Sequence, residues 1–223
     1  MDGVLIQSRE LIERAWVSVA RSEGIAVSPA FIHEHIHGRP GEYTLQRLFA
    51  DFDPAQRRRI KRRVDAIEEV GDCSLVPGVA KLIAQLRDGA VPLALVTSSW
   101  PARIEHVLRQ HELEDTFDCV VSREDVDAGK PAPDCYRLAA QRLDRPPHEC
   151  LVFEDSLSGV RSAVDSGALC LAIGGDPTLV TDGGAAAVYA DFEALPVAQA
   201  RTSTHAFDGG GLFIGAHASR RFA

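Results

Sequence analysis

The chain has 223 residues, 45% hydrophobic and 25% charged, which suits one α/β domain or a core carrying a small insert. A net charge of −8 argues against general nucleic-acid binding, which needs a basic face to displace counterions. No apolar run is long enough to span a membrane, and the opening residues lack the basic-then-apolar layout of a secretion signal.

The chain opens on MDGVLIQS. Over 8–23 the residues Leu11, Ile12, Ala15, Trp16, Val19 and Ala20 keep helical spacing behind Ser8, a natural N-cap. Shorter helical patterns follow over 29–36, 42–50 and 54–69, split by Pro and Gly, and no strand signal appears between 9 and 75. Then the texture changes. Residues 75–90 read as a turn and a helix, and VPLALVTSS (91–99) as a buried strand ending in small polar residues. Helices over 102–113, 132–143 and 157–167 alternate with strands over 117–122, 149–155 and 169–175. A last strand and a short helix are expected over 186–195. The alternation predicts a doubly wound parallel sheet with right-handed crossovers. Strands that are apolar throughout, without alternation, fit a sheet covered on both faces. The segment 201–223, with Gly209, Gly210 and Gly211 in a row, has no clear period and is expected to be a disordered or loosely docked tail.

Five cysteines stand at 73, 119, 135, 150 and 170 without metal-clamp spacing, and their odd number argues against a disulfide framework. Cys119, Cys150 and Cys170 lie in or beside strand-like runs, as reduced core thiols of a cytoplasmic protein do.

In an open parallel sheet, functional groups gather beyond the carboxyl ends of the strands. Thr97 ends one predicted strand, Glu154 and Asp155 end another, and Lys130 stands just past a third. Asp2 has the place of a residue that follows a first strand. The stretches MDGVLIQS, LVTSS (95–99), GKPAPDCY (129–136) and LVFEDSLSG (151–159), in this order, resemble the haloacid dehalogenase-like hydrolase superfamily. Within it the chain is similar to the capped sugar-phosphatase and β-phosphoglucomutase-like branch, over about 1–195.

That resemblance implies a Rossmann-like core over 1–8 and 76–200 with an α-helical cap inserted over 9–75. It implies Asp2 as general acid/base, with its backbone carbonyl a metal ligand. Thr97 matches the phosphate-binding hydroxyl, Lys130 the phosphate-binding lysine, and Ser98 and Ser99 further phosphate donors. Asp155 matches the metal-ligating acid, Glu154 assists it directly or through water, and the metal implied is Mg2+. His37, Gly38 and Arg39 fall where capped members set a loop against the substrate. The family's nucleophilic aspartate lies two residues before the position of Asp2. The expectation is therefore a reading frame that begins upstream, with an apolar strand ending in Asp. Failing that, GGGLFIGAH (209–217) is the candidate for a substitute strand.

The reaction implied is hydrolysis of a small sugar or polyol phosphomonoester through an aspartyl phosphate, by a monomer or weak homodimer without nucleic-acid or membrane partners. The same core would serve a phosphosugar mutase, and without the nucleophile it would only bind a phosphorylated metabolite. One rival motif is HEHIH (33–37), which fits the zinc-protease pattern H-E-x-x-H. Pro29 and the Gly38-Arg39-Pro40 break leave it barely two turns of helix, which argues against zinc hydrolysis. RRRIKRR (57–63) reads as a solvated helix face that can also draw anionic substrate toward a cleft.

Overall fold

The computed structural model describes residues 1–200, 206–207 and 212–215. After a tight turn over the first six residues come four helices: α1 (Arg9–Ser22), α2 (Pro29–His35), α3 (Gly41–Leu48) and α4 (Pro54–Glu69). Two of their starts are written in the sequence. Ser28 accepts from the Phe31 amide ahead of α2, and Asp53 and Gln56 close a reciprocal capping box ahead of α4. Each such cap contributes about 1 kcal/mol. Ser8 does stand at the start of α1, but its hydroxyl makes no cap and turns instead toward Asp2. The four helices close on one another around Trp16, Val19, Phe49, Ile60 and Val64, a core of their own.

Leu75 bridges back to Ile6, and from there the chain alternates. The order is α5 (Val79–Asp88), β1 (Ala94–Val96), α6 (Pro101–Gln110), β2 (Cys119–Val121), α7 (Asp134–Arg142), β3 (Leu151–Glu154), α8 (Leu157–Ser166), β4 (Leu169–Ile173), α9 (Thr178–Thr181) and β5 (Ala187–Tyr189). These strands pair in parallel: β1 with β2 in the register Leu95↔Val120, β3 with β4 through Phe153↔Leu171, and β4 with β5 through Leu171↔Ala187. The expected class, parallel strands wound with helices, is what forms. The strands fall into two hydrogen-bonded groups, β1–β2 and β3–β4–β5, and no strand among the described residues joins them. Leu95 of β1 and Leu171 and Ile173 of β4 nonetheless share one buried cluster with Met1, Leu5 and Ile6. With a partner on one side only, β1 is shorter than the apolar run 91–99 suggested.

Three sequence expectations are corrected. Among the described residues no helix follows β5, because the Asp191 carboxylate accepts from the amides of Glu193 and Ala194, and the Phe192 amide is tied to the Pro77 carbonyl. The one-turn α9, which sequence periodicity is too short to reveal, starts where Asp176 accepts from the Thr178 amide and hydroxyl. Within the supposed tail, β8 (Leu212–Gly215) pairs in parallel with β6 (Val197–Ala200) and antiparallel with β7 (Ala206–Phe207). The described part of the segment 209–217, which is β8, therefore does not enter the slot between β1 and β3; the rest of 201–223 lies outside the described residues.

Candidate active site

The carboxyl end of β3 delivers Glu154, which is 4% exposed. Its Oε1 accepts from Lys130 Nζ and from the Tyr136 hydroxyl, each at 2.5 Å, and its Oε2 from the Asp155 amide and the Ser156 hydroxyl. Both oxygens are thus engaged. Burial opposes charge on Glu154, but the Lys130 ammonium outweighs it and holds the carboxyl below its ordinary value. Burial likewise opposes charge on Lys130, and Glu154 outweighs it, leaving the ammonium more firmly protonated. Gly159, in the first turn of α8, lets the helix approach this carboxylate: a Cβ there would lie 2.0 Å from Glu154 Oε2. Ser156 accepts from the Gly159 amide and caps α8.

Asp155 is different. It forms no ion pair among the described residues, and burial, with Glu154 beside it, pushes its carboxyl up to about 7. The first turn of the chain packs against it. Gly3 has φ +67°, and a Cβ at that position would lie 1.9 Å from Asp155 Oδ2. Only glycine permits that approach.

Asp2 stands on the same turn. Its Oδ1 is 2.7 Å from an Arg103 nitrogen, and its Oδ2 accepts from the Ser99 hydroxyl at 3.2 Å. Arg103, on α6, is 1% exposed and also donates to the Glu68 carbonyl of α4. Burial would raise Asp2, but Arg103, the amino terminus and the Ser8 hydroxyl together outweigh it and the carboxyl stays below its ordinary value. Thr97 is buried at the end of β1 and accepts from the Ser99 amide, whereas Ser98 is exposed. Trp100 heads α6 without a side-chain cap, so Ser99 serves Asp2 rather than the helix.

The structure therefore brings Asp2 together with Ser99, and Lys130 with Glu154 and Asp155, at strand ends. His37, Gly38 and Arg39 are held within the helical layer instead. His37 bonds Glu13 at 3.3 Å, and Arg39 donates to the Glu34 carbonyl and lies over Tyr43. The zinc-protease reading fails here too. Helix α2 ends at His35, so His37 lies beyond it, and no group of three metal-binding side chains occurs among the described residues.

Residues 1–167 match the family described as haloacid dehalogenase-like hydrolase. The chain belongs to that family. It is 35% identical over 177 residues to hexitol phosphatase A of Escherichia coli, covering 78% of this chain and 80% of the relative. A phosphorylated carbohydrates phosphatase of Thermotoga maritima is 33% identical over 171 residues, 75% of this chain and 79% of that protein. Among solved structures, CbbY of Rhodobacter sphaeroides in complex with phosphate superposes with a TM-score of 0.72 at 29% identity, covering 86% of this chain and 92% of that one.

Phosphatases of this family are generally metal-dependent, and the donor chemistry fits a metal ion. Asp155 is a part-buried carboxylate that forms no ion pair among the described residues, packed against the Asp2–Gly3 peptide, and the Asp2 carbonyl accepts no hydrogen bond among the described residues. Two hard oxygens of this kind suit an ion that keeps most of its waters. Glu154, the neighbour of Asp155, has Lys130 as its ionic partner and hydrogen bonds on both oxygens.

Four residues escaped the sequence reading: Arg103, Tyr136 and the α4 pair Glu68 and Glu69. Glu68 is pushed up to about 7 by burial, against the pull of Arg103 and Lys61. Glu69 accepts from the Trp100 indole at 2.7 Å. Arg103 did leave a signal, because it sits on the helical face of Ile104, Val107 and Leu108, where a charge demands a carboxylate partner.

Proposed function

We propose that this hydrolase is a phosphatase that releases inorganic phosphate from a small sugar or polyol phosphomonoester, with Mg2+ as its cofactor, in the cytoplasm. The observation that carries the reading is the meeting, at strand ends, of a glutamate-braced Lys130, an unpaired Asp155 and an arginine-held Asp2. Phosphoryl transfer is mainly positioning and charge neutralisation, and this is the equipment for both. The named relatives, phosphatases of hexitol and of phosphorylated carbohydrates, support the same substrate class. Five free cysteines suit a reducing compartment.

In this reading Lys130 meets the phosphoryl oxygens, and Thr97 and Ser98 donate hydrogen bonds to them. Asp2, positioned by Arg103, gives a proton to the leaving oxygen as the acyl phosphate forms and takes one from the attacking water as that intermediate is hydrolysed. Asp155 and the Asp2 carbonyl would hold Mg2+, which when bound supplies charge neutralisation at the phosphate. The acyl phosphate requires a carboxylate at the family position two residues before Asp2. Helices α1–α4, over 9–75, act as a cap that closes on the core (1–8 and 76–200) and excludes water. His37, Gly38 and Arg39 reach the substrate when that cap moves. Nothing in the site favours the mutase reading over hydrolysis.

The test is magnesium-dependent phosphate release from a panel of sugar, polyol and glycolate phosphates. The 223-residue chain is run beside a version extended by an apolar strand ending in Asp. Release by the extended protein that disappears on Asp155→Ala supports the reading. Silence of both proteins across the panel sinks it.

A further inference from the structure

The leaving part of the substrate lies on the Asp2 side of the phosphate, since Asp2 exchanges the proton with the leaving oxygen. Ser99, which touches Asp2, is followed by Trp100, and the Ser99 carbonyl accepts from the Arg123 amide at 3.2 Å. The Arg123 guanidinium lies 4.9 Å from the centre of the Trp100 ring, and Lys61 Nζ of α4 lies 5.8 Å from it. The indole N–H is bound by Glu69, so the ring is fixed between the core and α4.

The other cations of this seam are matched. Arg103 pairs with Asp2, and Lys61 with Asp65. Arg123 is exposed and forms no ion pair among the described residues. The turn that carries it is nonetheless braced: the amide and hydroxyl of Ser122 both donate to Asp125, and Arg142 holds the same carboxylate at 2.6 Å. A guanidinium stacked on an indole and mounted on a braced turn has lost much of its freedom before any ligand arrives. Its planar fork of N–H donors matches carboxylate and phosphate oxygens.

We propose that Arg123, stacked on Trp100 at the seam between core and α4, determines specificity by binding an anionic group at the far end of the leaving portion. Preferred substrates are then sugar or polyol monophosphates that also carry a carboxylate or a second phosphate. The inference rests on the phosphatase reading and narrows its substrate class.

The test compares three probes of one carbon skeleton in the presence of magnesium: ribitol 5-phosphate, 5-phosphoribonate and ribitol 1,5-bisphosphate, with inorganic phosphate as the control. Affinity is measured by calorimetry, or kcat/KM where turnover occurs. The expected result is a preference of roughly tenfold or more for an anion-tailed probe over ribitol 5-phosphate. That ratio falls toward one in Arg123→Gln and partly returns in Arg123→Lys, both variants being checked for unchanged melting. Which of the two anionic probes is preferred identifies the group that Arg123 reads. Equal treatment of all three esters, or a ratio untouched by Arg123→Gln, overturns the specificity inference; the phosphatase reading survives because ribitol 5-phosphate and inorganic phosphate still bind. Failure of every probe, inorganic phosphate included, overturns both.

Discussion

Replacing Arg103 with Met tests whether the Asp2 side of the site is assembled by ion pairing. The substitution keeps an unbranched apolar stem in a position that is 1% exposed, and removes the guanidinium that serves Asp2 and the Glu68 carbonyl. Breaking a fully buried pair costs about 3–5 kcal/mol, because a charge is left without its partner. Here the Asp2 side chain is 30% exposed and keeps the Ser99 hydroxyl, so water and Ser99 recover part of the loss. The expected cost is about 2–3 kcal/mol, a large fraction of a typical domain's stability. In thermal melts that is a fall of roughly 4–12 °C for a chain of this size. Urea unfolding at pH 7.5 measures it directly. A double-mutant cycle with Asp2→Asn should return a coupling of at least about 1 kcal/mol, since the two side chains share one interaction. A loss below about 0.5 kcal/mol, or strictly additive mutants, would refute the claim that Arg103 holds Asp2.

Tyr136→Phe removes one donor from Glu154 while leaving the ring beside Lys130, so stability should fall by about 1 kcal/mol and phosphate binding should weaken. Parallel melts and phosphate titrations check both effects. Asp125 is held at about 2, first by the Ser122 side chain and then by Arg142. A depressed carboxylate stabilises the fold above its unfolded pKa and loses that contribution as the pH falls through the folded value. The melting temperature of the parent should therefore drop more steeply between about pH 4 and pH 2 than that of Asp125→Ala, and parallel curves would contradict the brace assigned to this turn. Millimolar magnesium should raise the melting temperature of the parent and leave Asp155→Ala unmoved, because only a ligand bound to the native state stabilises it. An equal magnesium response in both would place the cation elsewhere.

Much of the layout was legible because two kinds of local signal agree. Apolar runs bounded by Gly and Pro marked β1, β3 and β4, and the first two ended in the polar residues that matter: Thr97 after β1, Glu154 and Asp155 at the end of β3. Lys130 was legible only through the motif around it; a lone lysine in a turn carries no information. What stayed hidden depends on partners distant in sequence. The partners of Glu154 are an example: its carboxylate is bonded by Lys130, 24 residues away, and Tyr136, 18 away. No local pattern encodes which of several donors reaches a carboxylate first. Likewise Ser8 stands in the capping position of α1, yet it turns to Asp2 as Ser99 does, because a half-buried carboxylate competes more strongly for a hydroxyl than a solvated helix amide does.

Arg103 shows how more could have been read. A charge placed among Ile104, Val107 and Leu108 cannot be solvated by the helix that carries it, so the fold must bring an acceptor to it. The acid that meets it, Asp2, lies 101 residues away on the opening turn. A buried arginine on an apolar helix face therefore implies a carboxylate partner before any coordinates are known. The Arg123 turn is the complementary case, a cation braced from below and left unpaired above. In a seam where the neighbouring cations Arg103 and Lys61 already have their carboxylates, the chemistry that completes Arg123 is an anion brought by the substrate.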